Sequence, residues 1–336
     1  MKWGITDIRH ALGSVQVTND DLRAAHPEWD VDLAAIRTGV NNRHHVHSNT
    51  TAFDLAEKAV SQLIEMNDIE IDKIGGIICC TSMSDYIFPG NSQILHGRFN
   101  LRENALAFDI NLACSGFPYA LGVAKSFLQS GDYDNIIVVT GDTYSKLIHE
   151  NDRSTMLLFS DGVAATLLTR GSCRMTFIDA LYFSSGKDHE RFMVRNGGFR
   201  TPLDRNINPD SQDSLENYIQ MDGLGILSFF NTKLPEAIDA ILLRNQLSID
   251  DLKLIVPHQA SQLALAGLIE HYPEHKHKFF INMADIGNLT SASIPVAIQQ
   301  VFAKKDLQIG DRVLLVGFGV GLSWSTMLMR IEDVGY

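Results

Sequence analysis

Three residues in this chain of 336 have side chains suited to moving an acyl group, and each follows an apolar run. Cys114 sits in Ala107-Phe-Asp-Ile-Asn-Leu-Ala-Cys114-Ser-Gly-Phe117. Leu106 to Ile110 predicts a buried strand, and Ala113, Phe117, Ala120, Leu121 and Ala124 recur at helical spacing as far as Leu128. A cysteine at such a junction faces the unpaired N–H groups of a helix start, which favour the nucleophilic thiolate. His258 sits in Val256-Pro-His258-Gln-Ala-Ser261, and its imidazole can donate or accept. Asn288 follows Gly287, and its amide donates in one protonation state at every working pH. Together they match thioester exchange, which needs a thiolate, a way to move protons and donors for an oxyanion. Taken singly, each has a plainer reading. Free cysteine is among the most buried residue types, His258 reads as a satisfied core histidine, and Asn288 as a turn residue. Thr290 or Ser291 offers a cap for the helix that follows.

The elements that must position these residues come in two sets. Asp109-Ile110 leads into Cys114, then Pro118-Tyr-Ala-Leu121, Leu128-Gln-Ser-Gly-Asp132 and an apolar strand Ile136–Val139. Asp285-Ile286 leads into Asn288, then Pro295-Val-Ala-Ile298, Leu307-Gln-Ile-Gly-Asp311 and an apolar strand Val313–Val316. The matched order implies two copies of one supersecondary unit, dividing the chain at 1–172 and 173–336. Further strands are expected at Ile74–Thr81, Met156–Phe159, Val163–Leu168 and Leu252–Val256. Helices are expected at Thr51–Met66, Gln259–His271 and Ser291–Ala303, with a long pattern at Leu224–Gln246 interrupted at Pro235. Such alternation predicts an α/β fold with parallel-rich sheets covered by helices, layered α/β/α/β/α. The stretch Ser184–Ser214, rich in Gly, Asn, Asp, Arg and Pro, reads as loop. Ligands collect beyond the carboxyl ends of parallel strands, so the three sites converge if the halves pack about a pseudo-twofold axis.

A formal net charge of −12 argues against general nucleic-acid binding. A phosphate-bearing ligand or acidic partner then needs a local basic patch, for which the candidates are Arg37 with Arg43, Arg153, and Arg195, Arg200 and Arg205. Four cysteines, two of them adjacent, do not form a disulfide framework, and with no signal-peptide pattern the expectation is the cytoplasm. No apolar run reaches the ~18 residues of a membrane span. Gly317-Phe-Gly-Val-Gly321 follows a strand, but the alternating Leu322–Arg330 predicts another strand, so no helix start is offered to a dinucleotide. His44, His45 and His47, and His271, His275 and His277, lack zinc spacing and read as surface loops; no metal site is expected.

The sequence resembles the β-ketoacyl-acyl carrier protein synthase III family of thiolase-like condensing enzymes nearly end to end. The resemblance is carried by Arg37-Thr-Gly39, Arg43-His44, Phe88-Pro89, Ala113-Cys114-Ser-Gly-Phe117, Asp152-Arg153 and Phe159-Ser-Asp-Gly162. It continues through Met221-Asp-Gly223, Pro257-His-Gln-Ala260, Gly287-Asn288 and Gly317-Phe-Gly319-Val-Gly321. It implies a duplicated thiolase-like fold and a catalytic set of Cys114, His258 and Asn288. Cys114 takes an acyl group from a thioester; a malonyl-type thioester then loses carbon dioxide and condenses with it. The resemblance places the backbone N–H groups of Cys114 and Val320 in an oxyanion hole. It places Arg37, Arg153, Gly223 and Ser261 against coenzyme A or phosphopantetheine, and Phe88 and Leu227 at the acyl pocket. Phe88 is expected to reach the pocket of a second subunit across a homodimer interface, with ordinary core packing as the alternative. Acyl-CoA and acyl carrier protein are the implied partners, and no cofactor is held permanently.

Departures from the family pattern fall at Leu33 in place of tryptophan, Leu263 in place of arginine, Ser228 in place of lysine, and Val320 within the glycine run. They thin the basic docking groups and favour a specialised relative with another acyl donor or carrier. A degradative thiolase needs a second cysteine near the C-terminus, and none follows Cys173. Acyl transfer to a hydroxyl or amine would use Cys114 and His258 without needing Asn288. A non-catalytic partner subunit is expected to have lost one of the three residues.

Overall fold

Nine strands form one continuous sheet in the computed structural model of the protein, which describes residues 2–203, 212–304 and 307–334. In spatial order they are Leu254–Pro257, Arg312–Gly319, Ser323–Ile331, Met175–Ser184, Trp3–Leu12, Gly162–Arg170, Asn135–Asp142, Ile74–Cys80 and Leu106–Ile110. The first four come from residues 175 onward, and the other five from residues up to 170. The two groups meet only where Gly4 and Ile5 pair with Thr176 and Met175. The sheet folds about this narrow junction, so that helices fill the space between its two wings.

Two helices make that middle layer. Gly116–Ser130 buries Phe117, Ala120, Leu121, Ala124 and Leu128, and Ser293–Ala303 buries Ile294, Val296, Ala297, Ile298 and Val301. Both pack against Ile78 and Val138 from one wing and Val256, Val313 and Leu315 from the other, in a single core. Outside the first wing lies Ala52–Met66, started by a Thr51–Asp54 capping box. Outside the second lie Gly223–Arg244 and Gln262–Ile269. The layering is α/β/α/β/α.

The sequence pattern places most elements within a few residues, and the differences have identifiable causes. Leu106–Ile110 is the edge of the sheet and only half-buried, not a buried strand. The apolar run Met156–Phe159 is no strand. Arg153–Met156 is a short helix begun by Asp152, whose carboxylate accepts from the Ser154 N–H at 3.0 Å, and Phe159 forms an isolated bridge to Asn288. The helix Gly223–Arg244 runs through Pro235 without interruption, its apolar face held by the core at Phe230, Leu234, Ile238 and Ile241. Within Ser184–Ser214 the chain makes a 3₁₀ turn at Gly186–Arg191. Phe192–Met193 then pairs with Gln220–Met221. In the second copy of the repeat no strand precedes Asn288: Phe279 makes a single bridge to Ile255, and Asn288 follows the 3₁₀ turn Met283–Asp285. No helix among the described residues is long and apolar enough to cross a membrane.

Candidate active site

Cys114 and His258 come from turns at the carboxyl ends of strands, Asn288 from the turn after the 3₁₀ segment Met283–Asp285, and the three line one cavity of about 420 Å3. Cys114 lies between Leu106–Ile110 and Gly116–Ser130. Its neighbour across the cavity floor is Gly319, where a Cβ would stand 2.5 Å from the Cys114 Cβ, so only glycine allows the two backbones this close. The Cys114 and Val320 backbone N–H groups donate to no other residue among the described ones, and both residues line the cavity.

His258 follows Leu254–Pro257 and is held by its own backbone, whose N–H donates to the Val316 carbonyl at 2.8 Å. Its ring lies edge-to-face on Phe318, centroids 5.2 Å apart. Asn288 is fixed at both ends of its amide: Nδ2 donates to the Ala260 carbonyl at 3.2 Å, and Oδ1 accepts from the Thr290 N–H at 2.9 Å. Its backbone is laced to Leu158 and Ser160 at 3.0 and 2.9 Å. Gly287 makes that approach possible; its φ is +64°, and a Cβ there would meet Ser160 Oγ at 2.4 Å.

Burial sets the protonation states. The imidazole of His258 is pushed down to about 3, opposed by a backbone hydrogen bond to Thr290, so it is neutral at any working pH. The thiol of Cys114 is pushed well above its ordinary value, first by burial and then by the nearby Asp142 carboxyl. The helix start that favours a thiolate is therefore outweighed here by desolvation, and the resting residue is a thiol. The site thus holds a thiol and two neutral hydrogen-bonding side chains in a largely apolar cavity.

The His258 shift has a consequence for stability. The unfolded histidine takes up its proton near pH 6.5 and the folded one only near 3, so stability falls as pH drops below 6.5. Urea unfolding at pH 7 and pH 4.5 should show the wild type losing about 3 kcal/mol more than His258→Gln. Equal losses would show that another group carries the acid sensitivity.

Comparison with known proteins identifies the site's lineage. The C-terminal model of 3-oxoacyl-[acyl-carrier-protein] synthase III matches residues 242–331, and the companion model of the same synthase matches residues 108–186. The β-ketoacyl-[acyl-carrier-protein] synthase III of Rhodopirellula baltica is 33% identical over 332 residues, covering 94% of each chain. The chain belongs to this family. The Clostridium tetani synthase III is 31% identical over 322 residues, covering 95% of each chain. A crystal structure of a 3-oxoacyl-(acyl-carrier-protein) synthase III superposes with a TM-score of 0.92 at 29% identity, covering 98% of this chain and all of the other. The fold is the duplicated thiolase-like one.

Against the family pattern, the structure sorts the outer residues. Arg37, Arg153, Gly223, Ser261 and Leu227 line the cavity with the three central residues, as do Leu33 and Leu263, two positions expected from the sequence to depart from the family pattern. Arg37 and Arg153 are exposed and form no ion pair among the described residues. The Ser261 hydroxyl caps Gln262–Ile269, accepting from the Ala264 N–H at 3.2 Å. Phe88 is 81% exposed and absent from its own chain's cavity, which rules out core packing; Tyr86 and Ile87 are exposed beside it.

Arg43 belongs to no basic patch. It is fully buried and donates to Asn19 Oδ1 at 2.6 Å and to the carbonyls of Leu157 and Val40 at 2.8 and 3.2 Å. Arg195 and Arg200 lie away from the cavity, and Arg205 falls outside the described residues. His44 and His45 lie on the strand Asn42–His45 and bond the carbonyls of Gly13 and Phe159, rather than sitting in a surface loop. Nor do Thr290 and Ser291 cap the next helix; they form a 3₁₀ turn before it, with the Thr290 hydroxyl given to Asp142. Asp142 has no motif around it; its only sequence signal is a carboxylate closing an apolar strand.

Proposed function

We propose that the chain performs decarboxylative condensation, in fatty acid, polyketide or related synthesis, with Cys114, His258 and Asn288 as its catalytic residues. The Cys114 sulfur attacks an acyl thioester and displaces the donor thiol, which leaves with the proton; the acyl group stays on Cys114. Backbone N–H groups of Cys114 and Val320 stabilise the oxyanion of that step. A malonyl-type thioester then enters. Its carboxylate leaves as carbon dioxide, and the bonding pair moves into an enolate whose oxygen accepts hydrogen bonds from His258 and Asn288. The enolate carbon attacks the acyl carbon, the carbon–sulfur bond breaks with its pair going to the Cys114 sulfur, which takes a proton from solvent, and a β-ketoacyl thioester is the product. The observation that carries this reading is the meeting of a thiol with two neutral donors in one cavity. Neutral donors favour enolate formation, because an imidazolium would attract the departing carboxylate.

In this reading coenzyme A or phosphopantetheine thioesters are substrates, no cofactor is retained, and Arg37, Arg153, Gly223 and Ser261 border their path. Leu227 borders the acyl group. The exposed ridge Tyr86-Ile87-Phe88 belongs to a homodimer interface that brings Phe88 to the partner's acyl pocket. Residues 1–172 and 173–336 act as the two halves of the duplicated unit, and the four free cysteines suit the cytoplasm.

The test is to mix the protein with malonyl-CoA, a malonyl carrier protein and a panel of straight, branched and aromatic acyl-CoAs. Carbon dioxide release matched mole for mole by β-ketoacyl product is expected for at least one donor. Acyl transfer to a hydroxyl or amine without carbon dioxide would replace this reading with simple acyl transfer.

A further inference from the structure

Thr290 is the one non-glycine residue at the site, among the described residues, whose backbone lies in the left-handed region, with φ at +52°. A β-branched residue has no intrinsic reason to adopt it, so the surroundings must impose it. Its hydroxyl donates to Asp142 Oδ2 at 2.8 Å. Asp142 is fully buried at the end of Asn135–Asp142, and its other oxygen accepts from Thr81 Oγ1 and the Ser82 N–H, both at 2.8 Å, and from Ser82 Oγ at 3.1 Å. Every donor to this carboxyl is neutral, so the group acts as an anchor and not as half of an ion pair. The conformation that the anchor holds turns the Thr290 N–H onto Asn288 Oδ1 at 2.9 Å. An N–H there can donate to the amide oxygen of Asn288 but would meet its NH2 group donor to donor. The amide nitrogen of Asn288 is thereby left for the Ala260 carbonyl and the cavity.

We propose that Thr290 is a positioning residue for condensation, anchored by Asp142, which fixes the Asn288 amide so that its remaining N–H faces the enolate. The proposal rests on the enolate role of Asn288 stated above. It assigns to Asp142, in the first half of the chain, control over a donor in the second.

Thr290→Val removes the anchor and keeps the bulk. On the full chain, kcat for malonyl-CoA decarboxylation should fall about tenfold or more with KM changed less than about threefold, because the lost donor acts in the transition state. Loading of Cys114, read by intact mass with the acyl-CoA that loads the wild type, should stay within about twofold, and Thr290→Ser should restore decarboxylation to within about threefold. Unchanged decarboxylation in Thr290→Val, or a parallel fall in loading and decarboxylation that Thr290→Ser does not relieve, overturns the proposal. If Thr290→Val does not load, Thr290→Gly, which accepts a left-handed backbone but cannot bind Asp142, decides by the same criteria. Asn288→Ala separates the two levels. If it decarboxylates like the wild type, the enolate role itself has failed; if it does not while Thr290→Val does, only the anchoring has failed.

Discussion

Cys114→Ser should load no acyl group from any thioester that loads the wild type, a loss of about 10³-fold or more, equivalent to about 4 kcal/mol of barrier. The substitution is nearly isosteric, so the change is chemical. A hydroxyl ionises far less readily than a thiol, and this position already disfavours anions through burial and the neighbouring Asp142. The same environment predicts the pH dependence of the wild type. Because the thiol is raised above its ordinary value, the thiolate is a minority at neutral pH. Loading should then rise with pH, approaching tenfold per unit between pH 6 and 8. Intact mass after rapid mixing measures both. An adduct that persists in Cys114→Ser, or a loading rate flat in pH, would remove Cys114 from the nucleophile's role.

Gly319→Ala should separate the two half-reactions. The added methyl would stand 2.5 Å from the Cys114 Cβ and 3.3 Å from its Cα. Neither backbone can retreat: Gly319 closes a strand paired to Ser323–Ile331, and Cys114 is pinned before a buried helix. The thiol is displaced instead, and a misplacement near 1 Å costs about 10²-fold in rate. Loading should fall by that factor. Malonyl decarboxylation should survive within about threefold, because the three atoms nearest the new methyl all belong to Cys114 and not to His258 or Asn288. Overpacking should also cost about 1–3 kcal/mol in urea unfolding. Equal loss of both half-reactions would mean that the strand end, not the thiol, had moved.

Much of this site was legible in the sequence because its signals are local. An apolar run, a cysteine and a helical stripe define one junction; Pro257-His258 and Gly287-Asn288 define two more, and strand ends are where ligands collect. The fold class followed from alternation and the internal repeat. What escaped depends on distant contacts. Met156–Phe159 has the composition of a strand, but its one bridge is to Asn288, far along the chain. Pro235 signals a break, yet tertiary packing carries the helix past it. Arg43 reads as a surface cation because charge is usually solvated, whereas carbonyls drawn from Val40 and Leu157 satisfy it in the interior. The rise in the Cys114 pKa could not be read either, since burial of a thiol is a property of the packed site. Asp142 and Thr290 drew no notice as a pair for the same reason: 148 positions separate them, and only folding makes them neighbours.

The bonds across the pseudo-twofold seam bear on how such a chain can vary. Asp142 to Thr290, Ser160 to Asn288 and Ser115 to Ser323 each join a residue of one repeat to a residue of the other. Substitutions at these positions share partners, so their effects are coupled and do not add. A chimera made by exchanging one repeat with that of a relative about one-third identical would join halves whose lacing residues were not matched to each other. The interlock makes the two repeats inheritable only as a pair, however separable they look in the chain.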